Sequence, residues 1–251
     1  MAISALAPLF VGDFSHYREV LVLTDDPRPA IAARSLLTPD GLEQVLARYA
    51  PNRPEADRRA LTSQWSRAYF LRLIVPTVAA SLILNRELPV ELARLSVVLD
   101  DEGEPAAFKV PHEGSLWSRP PVDPFERFDT LLAGNFAPLI DAMSCHVRVS
   151  RKVLWSNAAN YFEWLISAMA RFRVPEPMLR DGRDLIDSPH RPDGSRNPMF
   201  QPVRYVERET GPSPLRQRRQ CCIRYLLPEL DLCENCPHID NPPKGVKVAG
   251  H

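Results

Sequence analysis

Two early stretches carry apolar residues at helical spacing. Asp40 to Tyr49 predicts a short helix. Pro54 to Leu84 predicts a longer one, because Leu61, Trp65, Ala68, Tyr69, Leu71, Arg72 and Val75 follow the same period, with a kink at Pro76. The period then shortens. Leu95 to Leu99 and Ala106 to Val110 are β-branched or apolar runs flanking Asp100-Asp101-Glu102-Gly103-Glu104, which predicts a β-hairpin. Lys109 to Pro124 is loop-like, with five proline and glycine breaks. Asp123 then caps a helix running to Cys145, Ser150 caps another from Arg151 to about Arg173, and a shorter helical period spans Glu176 to Ile186. The remainder to Pro214 is rich in proline, arginine and turn residues. The fold class is therefore α+β, predominantly helical, with a small hairpin and a C-terminal cysteine-rich segment. Residues 1–240 are expected to form one globular domain, with 216–240 as its cysteine-rich segment and 241–251 as a flexible tail.

Composition sharpens this in two places. The 31 basic and 31 acidic residues cancel, which removes any general argument for nucleic-acid binding, and no helix-turn-helix pattern is present. The neutral total nevertheless hides two lobes. Eight arginines oppose three carboxylates between Arg191 and Arg224, whereas nine carboxylates oppose three cations between Leu95 and Cys145. The first 12 residues are apolar but carry no Lys or Arg, so they lack the leader of a secretory signal. The longest later uncharged run, between Arg72 and Arg86, falls short of the ~20 residues that span a bilayer. A reducing cytoplasmic setting is expected, where grouped cysteines signify metal or catalysis more often than disulfides.

Four of the five cysteines are grouped: Cys221-Cys222, ten intervening residues, then Cys233-Glu234-Asn235-Cys236. Three chemistries fit. A structural zinc would use the Cys233/Cys236 spacing, but adjacent residues in a strand point to opposite faces, so Cys221 and Cys222 reach one ion only through a kinked backbone. A two-iron cluster offers two metal centres to thiolates arriving from divergent directions, and Pro237 follows the last cysteine as in bacterial ferredoxins. Redox-active thiols are the third. Arg218, Arg219 and Arg224, with Arg216, stand where they would offset the charge of a cluster and raise its potential, or form a solvated strand face. His238 lies two residues beyond Cys236, within hydrogen-bonding range of a cluster.

These residues resemble the FhuF-type ferric-siderophore reductases, whose hallmark is a C-terminal CC-x10-C-x2-C holding a [2Fe-2S] cluster. Cys221, Cys222, Cys233 and Cys236 match it completely, while Cys145 has no place in it. Val153 to Tyr161, Arg196 to Phe200, Pro202 to Tyr205 and the hairpin near Leu95 are also similar to the family, so the resemblance runs from about Trp65 to Pro237. It implies a cytoplasmic oxidoreductase, associated peripherally with the inner membrane, that passes one electron to Fe(III) in a siderophore and releases Fe(II). The chain has no G-x-G-x-x-G nucleotide motif, which points to an external donor such as a ferredoxin or flavoprotein. Trp155, Asn157 and Asn160 on a helix, and Arg196, Asn197 and Arg204 on a loop, are the candidate siderophore walls. The competing reading of the asparagines is hydrogen bonding to a neighbouring loop. An iron–sulfur sensor and a zinc-stabilised binding module are the alternative functions.

Overall fold

The computed structural model describes residues 2–208, 213–244 and 246. The short helix forms as Pro39–Tyr49 (α1), capped by Thr38, whose Oγ1 accepts from Gly41 N at 3.2 Å. Leu42, Val45 and Leu46 give it one buried face. The long helix is Arg58–Ile83 (α2), starting four residues later than the sequence predicts because Asp57 is its cap and accepts from Arg59 N and Ala60 N. It continues through Pro76. By length and composition α2 is apolar enough to cross a membrane, yet nearly every residue from Ala60 to Leu82 is packed inside the protein. It is the central core helix.

The hairpin belongs to a larger sheet. Strands Leu21–Leu23 (β1) and Ile31–Ala32 (β2) flank Ser96–Leu99 (β3) and Pro105–Val110 (β4) in the order β1-β4-β3-β2. The β1/β4 pairing is parallel, aligning Leu21 with Phe108, and the others are antiparallel. In the β3/β4 turn, Asp100 Oδ1 accepts from Glu104 N at 2.7 Å, and Trp65 Nε1 donates to Gly103 O at 3.0 Å. Gly103 has φ +77°, and a Cβ there would approach Tyr49 N to 2.7 Å, so only glycine lets the turn close on α1 and α2.

The helix expected from Asp123 to Cys145 is broken. Asp123 caps only Pro124–Arg127, a π-helical stretch covers Leu132–Phe136, and α-helix resumes at Ala137–Val147 (α3). The wide turn carries Asn135, fully buried, which accepts from Tyr69 Oη at 3.0 Å and donates to Val90 O at 2.6 Å. Helix Arg151–Arg171 (α4) matches its predicted span, but the Ser150 side chain makes no capping bond. It packs along α2, and Glu176–Asp187 (α5) follows, with Gly182 set against Ile166 of α4.

A second hairpin, Val203–Val206 (β5) with Leu215–Arg218 (β6), lies in the stretch read from sequence as irregular. One continuous apolar core runs from Ile3 to Leu227, and a separate small group collects the four grouped cysteines with Leu232. Cys145 is exposed on α3. Of the expected tail, 241–244 and 246 are described and the rest lies outside the described residues.

Candidate metal centre and adjoining cleft

The β5/β6 hairpin delivers the chain to the first two cysteines. At its end, Arg218 N donates to Asn235 O at 2.9 Å and Gln217 Nε2 to Cys236 O at 3.3 Å, fastening the first cysteine segment to the second. Ser63 of α2 donates to Cys222 O at 2.7 Å. Directly afterwards Ile223 adopts φ 55°, a left-handed turn that ends the extended run. Cys236 N donates to Cys233 O at 2.9 Å, closing the C-x2-C turn.

All four thiols are buried, each less than a tenth exposed. The Cys222 and Cys233 sulfurs lie 3.1 Å apart, and side-chain hydrogen bonding links Cys221 to Cys222 on one side and to Cys236 on the other. Ile223 N donates to Cys221 Sγ at 3.3 Å and His238 N to Cys236 Sγ at 3.4 Å. Among the described residues no group of three or more His, Cys, Asp or Glu side chains closes around one metal ion. A serial arrangement of four thiols suits a two-iron cluster, which takes two thiolates at each iron, better than a single tetrahedral ion.

Positive charge faces this pocket. Arg218 is 1% exposed; its Nη2 donates to Asn157 Oδ1 at 2.6 Å and Ser156 Oγ at 3.2 Å. Its Nε and Nη1 have no partner among the described residues. Burial pulls the Arg218 pKa below its usual value, while Cys222 and Cys233 act to restore it. Arg67 of α2 places Nη1 3.9 Å from Cys233 Sγ, with Nε donating to Tyr161 Oη at 3.1 Å. Burial opposes the Arg67 charge, but Tyr161, Cys233 and Cys222 together outweigh it and raise its pKa. Hydrogen bonds from Cys221 and Cys233, with Arg218 and Arg67 beyond them, hold the Cys222 thiol well below its ordinary range. Metal ligation needs the thiolate. Orphaned guanidinium N–H groups, two backbone donors to sulfur and four buried thiols all fit a cluster that carries negative charge.

A cleft of about 520 Å³ adjoins the cysteine segment. Gln220, the residue before Cys221, forms part of its wall, as does Ser156, whose Oγ donates to Gln220 O at 3.4 Å. Lys152, Trp155, Arg191, Arg196, Phe200 and Arg219 line much of the rest.

Residues 63–213 match the family described as ferric iron reductase FhuF-like transporter, and residues 218–238 match the FhuF 2Fe-2S C-terminal domain. The chain belongs to the FhuF family. It is an oxidoreductase, and its cofactor is a [2Fe-2S] cluster. Cys221, Cys222, Cys233 and Cys236 are the residues able to hold it, all four lying in the matched segment. The chain is also similar to the ferric siderophore reductase of Escherichia coli (strain K12), 26% identical over 242 residues that cover 92% of this chain and 90% of that one.

Within this FhuF-family structure the other predicted site residues separate into three groups. Trp155 and Arg196 line the cleft. Asn157, Asn160 and Asn197 do not. Asn157 is fully buried, donating to Ser63 O and Oγ, both at 3.0 Å, and so holds Arg218 rather than a ligand. Asn160 Oδ1 accepts from Arg216 Nη1 at 3.0 Å and from Asn235 Nδ2 at 3.1 Å. Asn197 Nδ2 donates to Leu185 O at 2.6 Å and to Ser188 O at 2.8 Å, shaping its own loop. For these three, the reading as hydrogen bonds to neighbouring segments is the one the contacts match. Arg204 also stays outside the cleft, donating to Gln217 Oε1 at 2.9 Å.

Of the arginines named as cluster-tuning, only Arg218 faces the thiols. Arg219 is exposed in the cleft, with Nη2 donating to Gln201 Oε1 at 3.2 Å, and Arg224 lies within electrostatic reach of Tyr49 instead. Arg67 was not among the predicted residues, since it sits in a core helix 154 residues before Cys221 and nothing local distinguishes it.

Glu163 is a further residue that sequence reading passes over. It is 6% exposed on α4, accepts from Arg216 Nε at 2.6 Å and from Tyr205 Oη and Ser167 Oγ, both at 2.9 Å, and so clamps the β5/β6 hairpin to the helix. Glu163→Gln is expected to lower the unfolding free energy by about 1–3 kcal/mol, because Arg216 loses its charged partner while still largely buried. Denaturant titration of the holoprotein measures this; an unchanged midpoint contradicts the clamp.

Proposed function

We propose that this protein reduces ferric iron held in a siderophore, with the cluster on Cys221, Cys222, Cys233 and Cys236 and the chelate in the adjoining cleft. The observation carrying this reading is the shared wall: Arg218 to Gln220 face the thiols through Arg218 and the cleft through Arg219 and Gln220. When bound, the [2Fe-2S] cluster supplies one electron, which converts Fe(III) to Fe(II) as the cluster is oxidised. Cys221, Cys222, Cys233 and Cys236 would hold the cluster and fill its protein positions, so the chelated iron would need no protein ligand and could accept the electron across the wall. Arg67 and Arg218 favour the added negative charge of the reduced state. Leu232, with Tyr225 and Ile239 packed against it, shields the thiols from water. Hard oxygen ligands hold Fe(II) less tightly than Fe(III), so iron leaves the chelate after reduction. An external ferredoxin or flavoprotein restores the electron, and the reaction belongs in the cytoplasm, where the free thiols stay reduced.

Paired charge reversal, Arg191→Glu with Arg196→Glu, is expected to slow reoxidation of the reduced protein by a ferric siderophore at least about tenfold, a loss of about 1.4 kcal/mol, while the visible spectrum of the cluster stays unchanged. Stopped-flow mixing under anaerobic conditions checks this. An unchanged rate removes the chelate from this cleft.

A further inference from the structure

Two arginines leave the same face of β6 and meet α4 one helical turn apart, with partners of different charge. Arg216 and Arg218 stand two residues apart on the strand, so both side chains reach the helix. Arg216 meets Asn160 Oδ1 and, through Nε at 2.6 Å, the Glu163 carboxylate. Arg218 meets Ser156 Oγ at 3.2 Å and Asn157 Oδ1 at 2.6 Å, and no carboxylate pairs with it among the described residues. The more deeply buried of the two, 1% exposed, is thus the one without a charged side-chain partner. An uncompensated buried charge opposes folding and is retained where another group supplies the opposite sign. Here that group lies on the thiol side: Cys222 and Cys233 act to keep Arg218 charged, and its Nε and Nη1 are without partners among the described residues.

Asn157 is the side chain that orients this arginine. Its Nδ2 donates to Ser63 O and Ser63 Oγ, both at 3.0 Å, and to Ser66 Oγ at 3.2 Å. Ser63 O can only accept and a guanidinium can only donate, so the amide has one orientation, with Nδ2 toward α2 and Oδ1 toward Arg218. Ser63 Oγ in turn donates to Cys222 O, so the network that fixes the arginine also fixes the peptide of a thiol. Aspartate has the same shape, but it lacks the donor that Ser63 O needs and would neutralise the guanidinium. We infer that Asn157 is a positioning residue for the redox centre: it holds Arg218 toward the thiols with an uncharged side chain, so that the positive charge acts on the cluster undiminished. This role is independent of what the cleft binds.

The test is the redox equilibrium of the holoprotein with a one-electron dye of matched potential, followed through the cluster spectrum. Asn157→Asp sets a carboxylate on Arg218 and should lower the reduced-to-oxidised ratio at fixed dye potential at least about tenfold, equivalent to about 59 mV. Asn157→Ala releases Arg218 and should lower the ratio as well. It should add little when Arg218→Gln is already present, because the two substitutions remove one interaction. Iron content and denaturant midpoint are measured on the same samples: a merely structural Asn157 would change those and leave the ratio of the loaded protein where it was. If neither Asn157 variant retains its cluster, Ser156→Asp makes the same pairing from the edge of the cleft, leaves the Ser63 bonds in place and should give the same fall. An unchanged or higher ratio in the loaded variants overturns the inference, and so does a full further shift from Asn157→Ala on top of Arg218→Gln.

Discussion

Serine at any one of Cys221, Cys222, Cys233 or Cys236 is expected to abolish the [2Fe-2S] cluster or leave it unstable to purification, whereas Cys145→Ser leaves the iron content unchanged. A hydroxyl is a harder and far less acidic donor than a thiol, so it replaces a thiolate poorly at iron. Among the described residues the side chains packed against the four thiols are Leu232, Tyr225, Ile239 and Val246, none of which offers a further thiol. Cys145 is exposed on α3, outside the buried cysteine group. Iron and acid-labile sulfide per chain, with visible circular dichroism, measure the outcome. Iron-replete protein lacking two or more of the four thiols would contradict the assignment, and so would a cluster that disappears in Cys145→Ser.

Arg67→Gln and Arg218→Gln should each make the cluster harder to reduce, while Arg219→Gln and Arg224→Gln should move its potential little. Reduction adds a negative charge, and a neighbouring cation stabilises the reduced form more than the oxidised one. At a separation of ~6 Å and an effective dielectric of about 20, one charge is worth about 3 kcal/mol. For a single electron that is on the order of 100 mV. Arg67 and Arg218 are both largely buried and screened little, whereas Arg219 is exposed and Arg224 is not among the charges that act most strongly on the thiols. Arg218→Gln also removes the donor to Asn157 Oδ1, so lower cluster occupancy should accompany its shift. A spectroelectrochemical titration of the four variants checks the order. A larger shift at Arg219 than at Arg67 would mean that the cluster lies nearer the cleft than the thiol pocket indicates.

The long periodic segments were legible because burial imposes their spacing: α1, α2, α4 and α5 fall close to their predicted spans, and the Leu95–Val110 hairpin forms around its acidic turn. The sheet around that hairpin was not legible. β1 and β2 are three and two residues long, too short for alternation to register, and they are recruited only by pairing with distant strands. The β5/β6 hairpin escaped for a different reason: exposed Arg204 and Tyr205 and intermediate Leu215 and Arg216 give it no alternating apolar face. At the site, local spacing sufficed for the four cysteines because their chemistry is encoded within sixteen residues. The cations that face them come from separate elements. Arg67 reaches Cys233 only because α2 packs against α4 and the C-terminal segment, and the asparagines of α4 that looked like a pocket wall spend their hydrogen bonds on Ser63, Arg216, Arg218 and Asn235.

The most direct test of the account is a single turnover. Anaerobically reduced holoprotein is mixed with a ferric siderophore in the presence of a ferrous-specific trap, and the cluster spectrum and the trapped iron are followed together. The account predicts return of the oxidised cluster spectrum with one Fe(II) captured per cluster, and loss of both signals in protein stripped of its cluster. A reduced cluster that persists with every ferric chelate offered, while its redox state alters affinity for DNA or for another protein, would contradict it and assign the cluster to sensing.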